Sequence, residues 1–244
     1  MGPSGNSSFR FTLSVGAAER DTVLAEPTTD VAFASVELST GAELRISGGD
    51  GLLAVVCMNG GQSAEVEGTW SASVEWLVAK LIPRLPEVRF AELRYRVKSW
   101  RRLPLCVEDA RAAIEAVGGE RIFLLGFSMG GAVAIEAASE PSVEKVVGLA
   151  PWIPPQLPLE GLRGRRFSVI HGNLDRYFPG IPGVSSRHSR AGFERARTLG
   201  VEGDYTLIPG AVHGIALRPF GLGLVPLPRA KRWVELVAAE IERG

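Results

Sequence analysis

The sequence holds only two cysteines in 244 residues, Cys57 and Cys106. Two cysteines make no disulfide framework, and no C-x-x-C spacing offers a metal clasp. Cys57 falls in an apolar run, where a small buried thiol is the simple reading. Excess charge is also missing: 27 basic residues balance 27 acidic ones. A neutral chain gives no electrostatic case for a nucleic acid or an anionic membrane as partner. No apolar stretch reaches the length of a membrane span. Met1–Ser8 is small and polar, and no basic stretch leads into an apolar core. A signal peptide is therefore not expected, the segment is expected to be mobile, and the expected compartment is cytoplasmic.

Glycine and proline are plentiful, with 29 and 16 residues. They punctuate the chain without repeating, so they mark turns. Between them, Phe9–Val15, Val31–Leu38 and Ala42–Ile46 alternate like short strands. Leu53–Met58, Arg121–Gly126, Val143–Ala150 and Arg166–His171 are the runs suited to parallel strands covered on both faces. Val88–Leu93 and Asp204–Ile208 are further strand candidates. Trp70–Leu85, Pro104–Val117, Met129–Ala138, Ser185–Leu199 and Pro228–Ile241 have helical patterning, with Ser185 placed to cap its helix. Strands alternating with helices predict βαβ units, hence an α/β fold on a mostly parallel sheet. With no linker or repeat, residues 9–244 are expected to form one domain.

The strongest local signal is Gly126-Phe127-Ser128-Met129-Gly130-Gly131. It has the form G-x-S-x-G, after an apolar strand and before a helix of small residues, the context in which a serine is held exposed on a strained turn. Gly126 and Gly130 make room around the bend. The bland alternative is a glycine-rich turn that happens to precede a helix. A dinucleotide-binding loop does not fit, since the spacing is not G-x-G-x-x-G.

A serine hydroxyl needs a base to become a nucleophile, and the chain has three histidines. His213 follows the last strand, on a loop at the carboxyl end of the sheet where open α/β folds bind ligands. His171 ends a strand, and is either a second candidate for the base or a structural histidine organising the loop that carries Asp175. His188 lies in a polar helix start and reads as a surface residue. An acid must orient the imidazole, and Asp175 follows a strand on the same sheet edge. Its plainer reading is a turn aspartate. Asp204 begins its strand and faces the other end.

Acyl transfer also needs donors for a developing oxyanion. The backbone N–H of Met129 is one candidate. Gly61 or Gln62, in Asn59-Gly60-Gly61-Gln62, is the other, and the sequence does not choose between them. Asn59, Trp100, Trp152, Ile153, Phe178 and Ile181 sit where they would line a pocket or pack beneath loops. Arg94, Arg96 and Lys98 follow a strand at the same edge, and would bind a carboxylate or phosphate of the substrate or merely pair with Glu92 and Glu108.

On Gly126–Gly131, His171-Gly172-Asn173-Leu174-Asp175 and His213-Gly214, the chain resembles the α/β-hydrolase superfamily in its compact form, closest to small esterases and dienelactone-hydrolase-like proteins. The resemblance implies a three-layer α/β/α sandwich with a roughly eight-stranded sheet. It also implies an acyl-enzyme mechanism without cofactor or metal, with Ser128 as nucleophile, Asp175 as acid and His213 as base. Two departures stand out: Asn59-Gly60 replaces the His-Gly pair common in relatives, and Pro151–Arg165 leaves room only for a minimal cap. The resulting expectation is a carboxylic ester hydrolase acting on a small acyl substrate. A thioesterase, peptidase or acyltransferase with the same triad, or a non-catalytic ligand-binding protein, are the alternatives.

Overall fold

Alternation along the central strands decides which face each helix covers. The computed structural model describes residues 32–175, 183–219 and 223–244. The expectations for Met1–Ser8, Phe9–Val15, Phe178 and Ile181 fall outside those residues. In chain order the strands are β1 (Ala34–Glu37), β2 (Glu43–Gly48), β3 (Leu53–Met58), β4 (Val66–Glu67), β5 (Arg89–Arg94), β6 (Val97–Lys98), β7 (Arg121–Phe127), β8 (Val143–Leu149), β9 (Arg166–Gly172), β10 (Tyr205–Ile208), β11 (Ala216–Leu217) and β12 (Val225–Pro226). The helices are α1 (Ala72–Leu81), α2 (Leu103–Val117), α3 (Met129–Ala137), α4 (Ser186–Thr198) and α5 (Ala230–Glu242).

Eight strands form one sheet in the order β1-β2-β5-β3-β7-β8-β9-β10. From β5 to β10 every pairing is parallel, and β2 runs antiparallel to both β1 and β5. Two faces of β3 and β7 separate two apolar layers. Ala54, Val56, Met58, Ile122 and Leu124 pack with α2, α3 and α4. Val55, Cys57, Phe123 and Leu125 point the other way and pack with α1 and α5. This is the three-layer α/β/α sandwich, and its period-two split follows from the strand pleat.

Each helix boundary has a local cause. The Ser71 hydroxyl accepts from Val74 N at 3.4 Å and starts α1, which stops before Pro83. Pro104 sits in the first turn of α2, and Gly118 leaves it at φ +59°, a conformation that favours glycine. Ser185 does occupy the cap position of α4, but its side chain makes no capping bond. Its carbonyl accepts from His188 N and Ser189 N instead. Two short ladders, β4 with β6 and β11 with β12, stand apart from the main sheet.

The Pro151–Arg165 connection contains a single turn of 3-10 helix, Glu160–Leu162, and no α-helix. Ile153, Leu157, Leu159 and Leu162 are buried in the α2/α3/α4 layer, and Arg195 donates to the carbonyls of Pro154 and Leu157. The segment thus packs as wall, with no cap rising between β8 and β9.

Candidate active site

The parallel strands deliver three polar side chains to one sheet edge. Ser128 follows β7, Asp175 follows β9, and His213 follows β10. Ser128 has φ 54° and ψ −118°, outside the regions a serine ordinarily adopts. The bend is held by Ser128 N donating to Leu149 O at 2.9 Å and Trp152 N donating to Ser128 O at 2.8 Å. Glycine is required around it for space. A Cβ on Gly126 would lie 2.3 Å from Gly130 O, and one on Gly130 would lie 2.4 Å from Met58 O.

The Ser128 hydroxyl lies 3.1 Å from His213 Nε2, and His213 Nδ1 lies 2.7 Å from Asp175 Oδ2. Because Nδ1 faces a carboxylate oxygen, it carries the hydrogen, which leaves Nε2 to accept from Ser128 Oγ–H. The His213 ring packs on Phe127 at 5.0 Å between centroids. Its loop is clasped from a distant part of the chain: the Ser73 hydroxyl accepts from Ile215 N at 2.9 Å and Ala216 N at 3.3 Å.

His171 has a defined place beside this line. Its Nε2 lies 3.0 Å from Asp175 Oδ2 and 2.9 Å from Val184 O, so Nε2 must carry the hydrogen. The Ser189 hydroxyl lies 2.7 Å from His171 Nδ1 and 2.8 Å from Tyr205 Oη. Asp175 Oδ1 accepts from Val184 N at 2.7 Å. Burial alone would raise the Asp175 pKa, but hydrogen bonds from His171 and His213 outweigh it. The carboxyl is held below its usual value. The structural role expected for His171 is therefore borne out, and its contact is directly with the Asp175 carboxylate.

A cavity of about 560 Å³ opens beside Ser128, within the range usual for small-molecule sites. Of the residues expected to line a pocket, Asn59, Trp100 and Trp152 do, and Gly60, Gly61 and Met129 line it too. Gln62 does not, and its carbonyl accepts from Trp100 N. Ile153 is also off the cavity, buried where a Cβ on Gly192 would collide with it. The acidic-substrate role considered for Arg94 and Arg96 needs correction, since neither lines the cavity. The strand register sets Arg94 directly opposite Glu43, with which it pairs, and Arg45 opposite Glu92. Arg96 pairs with Glu108 and Asp109. Asp204 lies at the far end of the sheet beside Arg243. Lys98, weighed together with the two arginines, does line the cavity, whereas sequence patterning did not single out Trp70 or Leu217. Lys98 and Leu217 reach it on the two short ladders, whose two-residue strands carry no periodic signal.

A family model described as the alpha/beta hydrolase family matches residues 55–240. No curated protein matches the sequence. Among solved structures, the fold resembles an alpha/beta hydrolase enzyme from a Medee basin deep-sea metagenome library. That match has 17% identity and a TM-score of 0.67, covering 86% of this chain and 97% of the other. Carboxyl esterase 2 of the mycorrhizal fungus Tuber melanosporum matches at 15% identity and TM-score 0.63, covering 91% and 89%. A Xanthomonas campestris serine hydrolase described as without a lid matches at 15% identity and TM-score 0.57, covering 76% and 86%. The family match spans most of the sheet and every strand end that carries the site, and on that ground the chain belongs to the alpha/beta hydrolase family.

Proposed function

We propose that the chain is a serine hydrolase of carboxylic esters, working through an acyl-enzyme on Ser128. One observation carries the reading: an unbroken hydrogen-bonded line from Ser128 Oγ through His213 to Asp175, beside a cavity. Ser128 Oγ attacks the ester carbonyl carbon as His213 Nε2 takes its proton. The imidazolium that forms is stabilised by the Asp175 carboxylate. Negative charge on the carbonyl oxygen is met by the N–H of Met129, a first-turn amide with no intrahelical acceptor, and by that of Gly61. Collapse breaks the bond to the leaving alkoxide, which receives the proton from His213. A water, deprotonated by the same nitrogen, then attacks the acyl-Ser128 carbonyl and frees the acid.

Hydrolysis is favoured over transfer because no α-helix between β8 and β9 shields the intermediate from water. The lidless serine hydrolase and the carboxyl esterase among the structural neighbours support the same direction. The deciding assay follows nitrophenyl esters of graded acyl length, with matched thioesters and amides, for wild type and Ser128→Ala. Esters should be cleaved fastest, and S128A should lower kcat by at least about 10⁴-fold. Wild-type turnover in S128A would end this reading.

A further inference from the structure

Among the described residues Lys98 is the one lysine or arginine that lines the cavity, and no carboxylate lines the cavity with it. Its Nζ donates to Thr69 Oγ1 at 3.0 Å, and no carboxylate of the described residues lies within ion-pair distance. The neighbouring arginines are different. Arg94, Arg96 and Arg45 are each neutralised by glutamate or aspartate. Partial burial without a counter-charge lowers the Lys98 pKa, and burial is the sole cause of that shift.

The ammonium is tied to the loop over the nucleophile. Thr69, which accepts from Lys98, also offers its carbonyl to Asn59 Nδ2 at 2.6 Å, and Asn59 precedes the Gly60-Gly61 pair. Much of the remaining lining is aromatic. Trp70, Trp100 and Trp152 face the same cavity, and the Arg45 guanidinium lies 4.0 Å from the centre of the Trp70 ring, steadying it.

We propose that the site takes an ester with a planar, aromatic body and a free carboxylate, and that Lys98 binds the carboxylate. This rests on the ester-hydrolase reading and names the substrate class for the same cavity. A single ammonium suits a monoanion. A phosphate dianion is met in proteins by several converging donors or a guanidinium fork, which the described lining does not supply. Three tryptophans in the lining supply aromatic contact area for the ring.

Calorimetric titration of naphthoate and its neutral isostere naphthamide into wild type, Lys98→Met and Lys98→Arg tests this. Wild type should bind naphthoate about tenfold tighter than naphthamide, as one charge-assisted hydrogen bond predicts. K98M should erase that preference and K98R should retain most of it. The comparison of two ligands within each protein guards against a general loss of folding. Equal affinities in wild type, binding of neither ligand, or a preference surviving in K98M would overturn the proposal. Ester turnover is measured in parallel. Turnover without the anion preference rejects this proposal alone. A Lys98-dependent preference without turnover of any ester rejects the hydrolase reading and upholds the ligand class.

Discussion

Asp175 Oδ2 is shared by two imidazoles, His213 at 2.7 Å and His171 at 3.0 Å. The second imidazole fixes the carboxylate's plane and is itself fixed by Ser189. Removing it takes one hydrogen bond from a charged oxygen, which costs more than a neutral pair. We expect His171→Gln to lower kcat for ester hydrolysis by about tenfold with KM nearly unchanged, and Ser189→Ala to do the same more weakly. A rise in KM at constant kcat would show that His171 shapes the pocket without positioning Asp175. At this scale the sequence was informative where a residue follows a strong strand. Ser128, Asp175 and His213 each do, and their shared edge follows from parallel pairing. Lys98 was legible only as one of three cations after β5, because what sets it apart from Arg94 and Arg96 is the β4/β6 ladder and a bond to Thr69. The pairing of Arg94 with Glu43 depends on strand register, which periodicity alone does not set.

The long elements were legible because their patterns are long. β3 and α2 begin and end within a residue of where apolar spacing puts them, whereas α1 is shorter than its apolar pattern, since Pro83 and Pro86 break it before the pattern fades. What patterning misses is how elements are fastened together. Lys145 on β8 is fully buried and meets Glu240 on α5 at 3.1 Å, also bonding the Glu240 carbonyl. The sequence of β8 reads as an apolar strand with two stray charges, and nothing local names the partner. Glu240→Leu leaves a buried lysine without its counter-charge and should cost about 3–5 kcal/mol in urea unfolding. The double variant Lys145→Met/Glu240→Leu should recover most of that loss. A single-variant cost below about 1 kcal/mol would mean Lys145 reaches water when unpaired.

For the whole molecule, pH dependence of stability is set partly by Glu92, buried on β5. Burial raises its carboxyl, Arg45 lowers it and Glu75 raises it, leaving a pKa of about 7. The folded state then holds a proton that the unfolded state has already released, so Glu92 lowers stability as pH rises from about 4.5 to 7. Between pH 4 and pH 8, wild type should lose about 3 kcal/mol relative to Glu92→Gln. Parallel unfolding free energies for the two proteins across that range would contradict the assignment.

The clasp between Ser73 and the loop after His213 joins residues 142 apart in sequence, and the Ser128–His213 contact spans 85. A chain is synthesised from its N-terminus, so the serine emerges from the ribosome well before its base. On the proposed chemistry, a nascent chain halted before His213 carries an inert hydroxyl. On that reading the serine is activated only once the C-terminal third has docked against the first helix, and a truncated chain would leave esters uncleaved.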